Sequence, residues 1–311
     1  MKSLYSINIL TISMLIVLGV ISIANFIGCS EEETPSDEAN GTFELPEAEP
    51  VEKEIMVLIP AGEFEMGDNF NEGWDTEHPM HTVYVDSFDI DVYEVTNEQY
   101  AEFLNSYGKN VDAAGHELLD INSNVCLIEK VGNTYKPKAR YEKHPVIEVS
   151  WYGAAAFAQF YGKRLLTEAE WEKAARGGLV GKRYPWGDDI SHNNANYLGT
   201  SGRDRWNGTS PVGSFPPNGY DLYDMAGNVW EWCADAYDES YYNESPKNNP
   251  KGPGVAVTFK NNDFTNVASR RVLRGGGWET YTSYYLRCAF RHHYVPTYTS
   301  GPLGFRCARD L

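Results

Sequence analysis

The sequence is poor in positive charge, and this shortage excludes one class of partner. Its 311 residues carry 26 Lys and Arg against 44 Asp and Glu, which gives a formal net charge of -18. A surface this acidic repels phosphate backbones, so we expect no nucleic acid among the partners. Calcium ions and basic peptides remain compatible with such a charge.

Cysteine is also scarce. Cys29 stands near the amino terminus, and the other four cysteines are Cys126, Cys233, Cys288 and Cys307. No Cys-x-x-Cys pair and no Cys/His metal spacing occurs among them. The sequence leaves open two disulfides, one disulfide or four thiols. It favours buried structural roles for these cysteines, because an unpaired cysteine usually packs as a small hydrophobic residue.

Charge is nearly absent from the first thirty residues, where Lys2 is the only charged side chain. An apolar run ends there with Gly28 before Cys29, which is typical of a bacterial lipoprotein signal at residues 1–29 with Cys29 as the lipidated residue. The run is also long enough to span a bilayer, so an uncleaved transmembrane anchor is the alternative. Both interpretations predict a membrane-anchored protein of the cell envelope, outside the cytoplasm. Neither distinguishes the inner from the outer membrane.

Residues 30–54 have too little apolar character to fold. Ten Asp and Glu face Lys53 alone between residues 31 and 54, and Pro35, Pro46 and Pro50 interrupt the run. Such a composition cannot bury enough apolar surface to offset the loss of chain entropy. We therefore expect an acidic, disordered linker between the anchor and a domain at residues 55–311.

From residue 55 onward, short apolar segments alternate with Gly, Pro, Asn and Asp, which predicts a loop-rich α+β fold. Strands are expected at 57–60, 62–66, 82–85 and 88–90. Thr96, Ser150 and Thr167 each precede a helical pattern and can cap free amide groups there. Beyond residue 178 the pattern predicts long loops and no helix of comparable strength, and such loops are often functional.

Several long motifs resemble the formylglycine-generating enzyme, or sulfatase-modifying factor, family, in the family's order. They are EVTNEQYAEFL at 94–104, HPVIEVSWYGAAAFAQFYGKRLLTEAEWEKAARGG at 144–178, YPWGDD at 184–189, PVGSFPPNGYDLYDMAGNVWEW at 211–232, RVLRGGGW at 271–278, RCAFR at 287–291 and GFRCA at 304–308. The resemblance spans nearly everything from about residue 56 to residue 309. It implies a single C-type-lectin-like domain with little regular secondary structure.

The resemblance breaks down at the family's redox pair of cysteines. In the family, two active-site thiolates bind Cu(I), a soft ion for which cysteine is a natural ligand. Between Trp278 and Cys288 this chain has no cysteine. The flanking motifs place the two positions near Thr280 and Ser283, and hydroxyl groups are poor Cu(I) ligands. Copper is therefore not expected as a cofactor.

Two calcium sites are implied by the same resemblance. Calcium takes six to eight oxygen ligands, which a chain supplies by mixing side-chain oxygens with backbone carbonyls on tight turns. The first site would use Asp224, Gly227, Val229 and Glu231, and the second Asn196, Tyr197, Asp204 and Trp206. Their spacing alone also fits capped polar turns, so the expectation of calcium depends on the family match.

A candidate binding groove surrounds the missing copper site. Aromatic rings offer contact area and arginine offers directional donors, so this composition suits a peptide or a sugar. Its predicted residues are Trp278, Thr280, Ser283, Arg287, Arg291 and His292, beside Tyr281, Tyr284 and Tyr285. The alternative is that these rings belong to the core. His292 could also act as a general base.

Two functions follow from this sequence. The first is an exported, lipid-anchored, calcium-stabilised domain without copper oxidase activity, whose groove binds a protein or a carbohydrate. The second is an enzyme, either a formylglycine-generating oxidase with an altered centre that matures sulfatases, or a catalyst of another reaction in the same groove. The missing thiols argue only against the oxidase.

Overall fold

Two four-stranded sheets, two hairpins and three helices form the framework of the computed structural model, which describes residues 55–254 and 267–311. The helices are α1 (Asn97–Tyr107), α2 (Trp151–Phe160) and α3 (Glu168–Arg176). The strands are β1 (Met56–Ile59), β2 (Gly62–Met66), β3 (His81–Val85), β4 (Phe88–Asp91), β5 (Ile128–Val131), β6 (Thr134–Pro137), β7 (Arg164–Leu165), β8 (Trp230–Ala236), β9 (Arg271–Arg274), β10 (His292–Tyr294), β11 (Leu303–Gly304) and β12 (Cys307–Asp310). The predicted signal, Cys29 and linker lie outside the described residues and stay predictions.

Local capping determines where the helices begin. The Thr167 hydroxyl accepts a hydrogen bond from Glu170 N at 3.2 Å, and the Glu170 carboxylate accepts one from Thr167 N at 2.8 Å. Thr96 forms the same reciprocal box at α1, and Ser150 caps α2. All three predicted helix starts are therefore confirmed. Helix α1 stops at Gly108, which adopts the left-handed conformation.

The first sheet has the order β1-β4-β12-β7, so the strand from the end of the chain lies between two strands from much earlier in the sequence. Strand β12 pairs antiparallel with both β4 and β7. The second sheet has the order β10-β9-β8-β11, and only its β8–β11 pair is parallel. The predicted strands at the start of the domain are confirmed, whereas these long-range pairings have no signal in the sequence.

Two hydrophobic clusters form the core. Helix α2 contributes Trp151 and Phe157 to the first cluster, and α3 contributes Trp171 to the second. Cys126, Cys233 and Cys288 are buried free thiols, and Cys307 is buried as well. The favoured structural role of the cysteines agrees with this burial.

Buried charge pairs tie the long loops to the rest of the fold. Each pair joins a glutamate and an arginine that are at most 2% exposed. The pairs are Glu77–Arg287, Glu168–Arg291, Glu172–Arg274 and Glu231–Arg306. Removing one member would leave the other charge buried without a partner, which costs several kcal/mol.

Beyond α3 the described residues form loops, strands and short 3-10 turns, as the sequence predicted, and contain no further α-helix. Within residues 55–254 and 267–311, none of the helices has both the length and the apolar character that crossing a bilayer requires. The α+β, loop-rich fold class is confirmed.

Candidate functional site

The segment that replaces the copper site folds into tight turns after β9. Thr280 is buried, and its hydroxyl accepts a hydrogen bond from Gly277 N at 3.0 Å. Ser283 opens a 3-10 turn, and its carbonyl accepts a hydrogen bond from the Tyr184 hydroxyl at 3.4 Å. Trp278 is partly exposed, and its indole nitrogen is buried without a hydrogen-bond partner. The hydroxyl of Thr280 therefore stabilises a turn.

The two arginines of the predicted groove point into the interior. Arg287 donates two hydrogen bonds to Glu77, at 2.8 and 3.0 Å. Arg291 donates two to Glu168, at 2.7 and 2.9 Å. Both guanidinium groups are thus occupied by carboxylates of the fold.

We call Trp74, Tyr281, Tyr284 and Tyr285 the aromatic platform. Tyr281 is 72% exposed and Trp74 is 48% exposed, whereas the other two rings are half-buried. The Trp74 ring centroid lies 6.3 Å from Tyr284 and 6.2 Å from Tyr285. Buried Phe290 supports it at 5.1 Å. The sequence indicated the tyrosines but gave no signal for Trp74, which is about two hundred residues away.

His292 lies on β10 beside the same region. Its ring centroid is 5.2 Å from that of Trp230. Burial, with a smaller contribution from the neighbouring charge of His293, lowers the pKa of His292 to about 4. The imidazole is therefore neutral at pH 7, and so low a pKa makes it a weak general base.

The first predicted calcium loop contains more negative charge than the sequence indicated. Glu94 interacts electrostatically with Asp224 and Glu231, and all three carboxylates are buried, with Arg306 as their cation. Burial raises the pKa of Asp224 to about 6, and it raises the pKa of Glu94 well above its usual value, to which the two neighbouring carboxylates add. Three buried carboxylates around one guanidinium disfavour each other's charged forms, and a bound cation would favour those charged forms.

The second predicted loop contains a buried oxygen without a partner. Asn196 Oδ1 has no hydrogen bond, and Asn196 is 1% exposed. Asp204 accepts hydrogen bonds from Tyr197 N at 3.3 Å, from Trp206 N at 3.2 Å and from His192 Nδ1 at 3.1 Å. The structure thus brings Tyr197 and Trp206 against the Asp204 carboxylate. Asn196, which precedes Tyr197, adds an oxygen that lacks a donor.

The two predicted calcium loops lie against each other through Asn228. Asn228 N donates to the Asn196 carbonyl at 2.9 Å, and Asn196 Nδ2 donates to Asn228 Oδ1 at 3.2 Å. Gly227 has φ +86°, and a Cβ there would collide with the Asn196 carbonyl. Sequence reasoning missed both Asn228 and Glu94, although each lies inside a family motif, at 211–232 and 94–104.

Metal binding itself stays a prediction. In the part of the chain that the structure describes, no three or more His, Cys, Asp or Glu side chains are grouped as a metal shell. The predicted calcium shells would mix backbone carbonyls with side-chain oxygens, including those of Asp224 and Glu231 at the first site. Calcium therefore fits the donor types and the excess charge found here.

Three cysteines of the domain have thiols with raised pKa values. Burial raises the pKa of Cys126 to about 11 and that of Cys288 to about 12. It raises the pKa of Cys233 well above its usual value. Cu(I) prefers thiolate ligands, which these three groups form less readily than an ordinary cysteine. The expectation that copper is not a cofactor stays a prediction.

A separate open pocket of about 770 Å³ shares no lining residue with the predicted groove. Its arginines are already paired, Arg164 with Glu170 and Asp310, and Arg309 with Asp89. Its size alone therefore gives no argument for a ligand, and the aromatic platform remains the better candidate site.

Comparisons with known proteins agree with the motifs. The family model described as "Sulfatase-modifying factor enzyme 1-like domain" matches residues 42–311. The formylglycine-generating enzyme of Streptomyces coelicolor is 39% identical, over 85% of this chain and 92% of that enzyme. The serine/threonine-protein kinase pkn1 of Chlamydia pneumoniae is 41% identical over 86% of this chain. That match covers only 40% of the kinase, so this chain spans about two fifths of its length.

A solved structure extends the agreement to the fold. PvdO from Pseudomonas aeruginosa superposes with a TM-score of 0.62 at 30% identity, over 82% of this chain and 94% of that chain. The resemblance drawn from the motifs and the expected loop-rich fold are thereby confirmed. Although residues 279–287 contain no cysteine, the chain belongs to the formylglycine-generating enzyme, or sulfatase-modifying factor, family.

Proposed function

We propose that this protein is a membrane-anchored, calcium-stabilised binding module of its family that lacks copper-dependent oxidase activity. The observation that carries the proposal is the segment from Glu279 to Arg287, which contains no cysteine. Since burial raises the pKa values of Cys126, Cys233 and Cys288, these three thiols offer no ready substitute for the missing thiolates. The family's copper chemistry has no ligands at this position.

Calcium would stabilise the module at its two neighbouring loops. Asp224 and Glu231, with the carbonyls of Gly227 and Val229, would hold one ion. Asn196 and Asp204, with the carbonyls of Tyr197 and Trp206, would hold the other. The excess of buried carboxylate and the unpartnered Asn196 oxygen support this assignment. A bound dication would neutralise that charge and fix the two loops.

The calcium loops are connected to the candidate groove. Trp278 N donates a hydrogen bond to the Asn228 carbonyl at 2.8 Å, and Asn228 joins the two loops. Ordering these loops would therefore position Trp278 and the aromatic platform beyond it. The exposed rings of the platform support binding of a protein or carbohydrate there, since aromatic faces with a polar edge suit both.

Membrane anchoring through Cys29 would hold the module in the cell envelope. The apolar run that ends at Cys29 and the acidic linker at 30–54 support this part of the proposal. Replacement of Cys29 by serine should move the protein from the membrane fraction to the soluble fraction if lipid holds it. Unchanged retention of Cys29→Ser in the membrane would favour the uncleaved transmembrane anchor.

Catalysis is the second candidate function. The 39% identity with the Streptomyces coelicolor enzyme across nearly its whole length favours a formylglycine-generating or related oxidase that acts on protein substrates. Such an enzyme would need a different catalytic centre. Thr280, Ser283 and His292 are the polar residues of the predicted groove that could belong to it. Loss of turnover in variants of these three residues would support it.

Mass spectrometry of a cysteine-containing sulfatase peptide separates the two functions. The peptide would be incubated under oxygen with the full chain, Ca²⁺ and Cu(I). We expect it to stay unchanged, while a family member that keeps the cysteine pair converts the same peptide. Conversion of the cysteine to an aldehyde by this chain would overturn the proposed loss of oxidase activity.

A further inference from the structure

The hairpin of β5 and β6 and the segment after it carry positive charge in an acidic chain. Residues 129–143, which we call the basic hairpin, contain five Lys and Arg against two Glu, a local net charge of +3, whereas the whole chain carries -18. All five cations except the half-buried Lys138 are exposed, and they are Lys130, Lys136, Lys138, Arg140 and Lys143. The basic hairpin shares no residue with the predicted groove or with the calcium loops.

The fold holds the hairpin firmly and turns one of its faces outward. The Asn105 side chain on α1 donates to the Tyr135 carbonyl at 2.8 Å and accepts from Tyr135 N at 2.7 Å. Ile128 and Tyr135 are buried. Because successive side chains of a strand point to opposite faces, Val131 and Lys136 lie on the outer face. Val131 is 53% exposed, so the tip of the hairpin presents an apolar side chain beside a lysine.

Most of these cations have no carboxylate partner. Lys136 pairs with Glu129 at 3.2 Å, and the two side chains are 52% and 44% exposed. Within residues 55–254 and 267–311, no ion pair involves Lys130, Arg140 or Lys143. An exposed pair such as Lys136–Glu129 contributes little to stability. The positive charge of the basic hairpin is therefore available to an anionic surface outside the domain.

The predicted anchor indicates which anionic surface would be near. The apolar run that ends at Cys29 would hold the chain to a bilayer, and residues 30–54 would connect it to the domain. A flexible chain of this length has an end-to-end distance of roughly 25–30 Å. Tethering at so short a distance gives weak attractions a high effective concentration. A free polyanion such as a nucleic acid has no tether and meets the net charge of -18 instead.

Given the proposed membrane anchoring, we infer that the basic hairpin rests on the anionic phospholipid headgroups of the membrane that holds the anchor. Each Lys or Arg close to such a surface strengthens the contact roughly fivefold. Val131 at the tip would enter the headgroup region. Tyr141, which is 38% exposed, suits the interface between water and lipid. Such a contact would fix the orientation of a domain that a flexible linker alone leaves free to rotate.

Acetylation footprinting of the full chain on vesicles tests this inference. The chain is reconstituted on phosphatidylcholine vesicles with and without anionic phosphatidylglycerol, treated with a membrane-impermeant acetylating reagent and read by mass spectrometry. We expect Lys130 and Lys136 to react at least about threefold more slowly on the anionic vesicles, and roughly 0.5 M salt to remove this protection. Lys247 is 58% exposed and its carbonyl accepts from Tyr84 N on β3, so it is the reference lysine and should react equally on both.

Charge reversal localises the contact. Arg140→Glu combined with Lys143→Glu places two anions next to the headgroups, and it should abolish most of the protection of Lys130. Lys251→Glu reverses an exposed cation outside the basic hairpin. It is the matched control and should leave the protection unchanged. Circular dichroism would verify that each variant is folded.

Equal acetylation on the two kinds of vesicle would overturn the inference, and so would a folded double variant that is protected as well as wild type. Protection by a soluble glutamate peptide, without protection by anionic vesicles, would also overturn it and would indicate an acidic protein partner. Flotation with neutral vesicles tests the anchor separately. A chain that fails to float with them contradicts the proposed anchoring, whereas its footprint on anionic vesicles still decides the role of the basic hairpin.

Discussion

Two regions of this domain are held together in different ways. From β1 to α3, residues 56–176, hydrogen bonds between near neighbours define the elements, as at the Thr167–Glu170 box. From residue 178 onward, long loops are fixed by buried charge pairs such as Glu172–Arg274, which joins residues 102 apart. The helices of the first region can be described locally, whereas the loops of the second depend on contacts with distant parts of the chain.

The largest expected effect lies at the charge pair that joins the two regions. Glu172→Ala leaves Arg274 and Arg176 without their shared carboxylate in the interior. We expect it to lower the free energy of unfolding by about 3–5 kcal/mol, measured by urea titration of tryptophan fluorescence. Glu129→Ala, which removes an exposed partner of Lys136, should cost less than about 1 kcal/mol. Equal costs for the two variants would remove the contrast between the regions.

Calcium should stabilise the loop region by a somewhat smaller amount. Free Ca²⁺ at 100 times its dissociation constant should raise the free energy of unfolding by about 2.7 kcal/mol per site, and a chelator should reverse this. Asp224→Asn should abolish the stabilisation from the first site. Asp221→Asn changes an exposed neighbour and is the matched control. An unchanged unfolding curve in Ca²⁺ would exclude a stabilising role for the ion.

The loop region should also lose stability in acid through His292. Its folded-state pKa of about 4 lies below the usual value of 6.5, so the unfolded chain binds the proton more tightly. The contribution of neutral His292 to the free energy of unfolding is therefore present above pH 6.5 and is lost as the pH falls towards 4. Allowing for its partial exposure, we expect the free energy of unfolding of His292→Gln to fall by about 2 kcal/mol less than that of wild type over this pH range. Parallel pH profiles for the two proteins would contradict the burial of the imidazole.

The smallest of these effects is expected in the locally defined region. Thr167→Ala removes the hydroxyl that caps α3 and should lower the free energy of unfolding by about 1 kcal/mol. Thr167→Ser keeps a capping hydroxyl and should retain most of the stability. A loss from Thr167→Ala as large as that from Glu172→Ala would show that the cap also supports the loops.

The same contrast explains what the sequence could predict of the fold. Thr167 and Glu170 are three residues apart, so their reciprocal bonds follow from helix geometry. The pairing of β12 with β4 joins residues more than two hundred positions apart, and nothing in either segment specifies the other. The sequence does not predict the Glu–Arg pairs for the same reason, since any glutamate could form an ion pair with any arginine.

The candidate site was predicted in part. Family motifs predicted two calcium loops and revealed the missing cysteines, and the structure places Asn196 and Gly227 close together. Arg287 and Arg291 looked like groove donors, because their burial depends on Glu77 and Glu168 from distant segments. Nothing in the sequence connects Trp74 with Tyr284, because the two residues meet only in the folded loops.

The position of strand β12 imposes an order on folding. Cys307 N bonds to the Asp91 carboxylate across 216 residues, and β12 is the only link between β4 and β7 in its sheet. That sheet cannot form until residue 310 has been synthesised, and until then the β4 and β7 edges stay open to aggregation. Folding should therefore be slow and post-translational. Deletion of residues 307–311 should leave a chain that expresses but never reaches the native state.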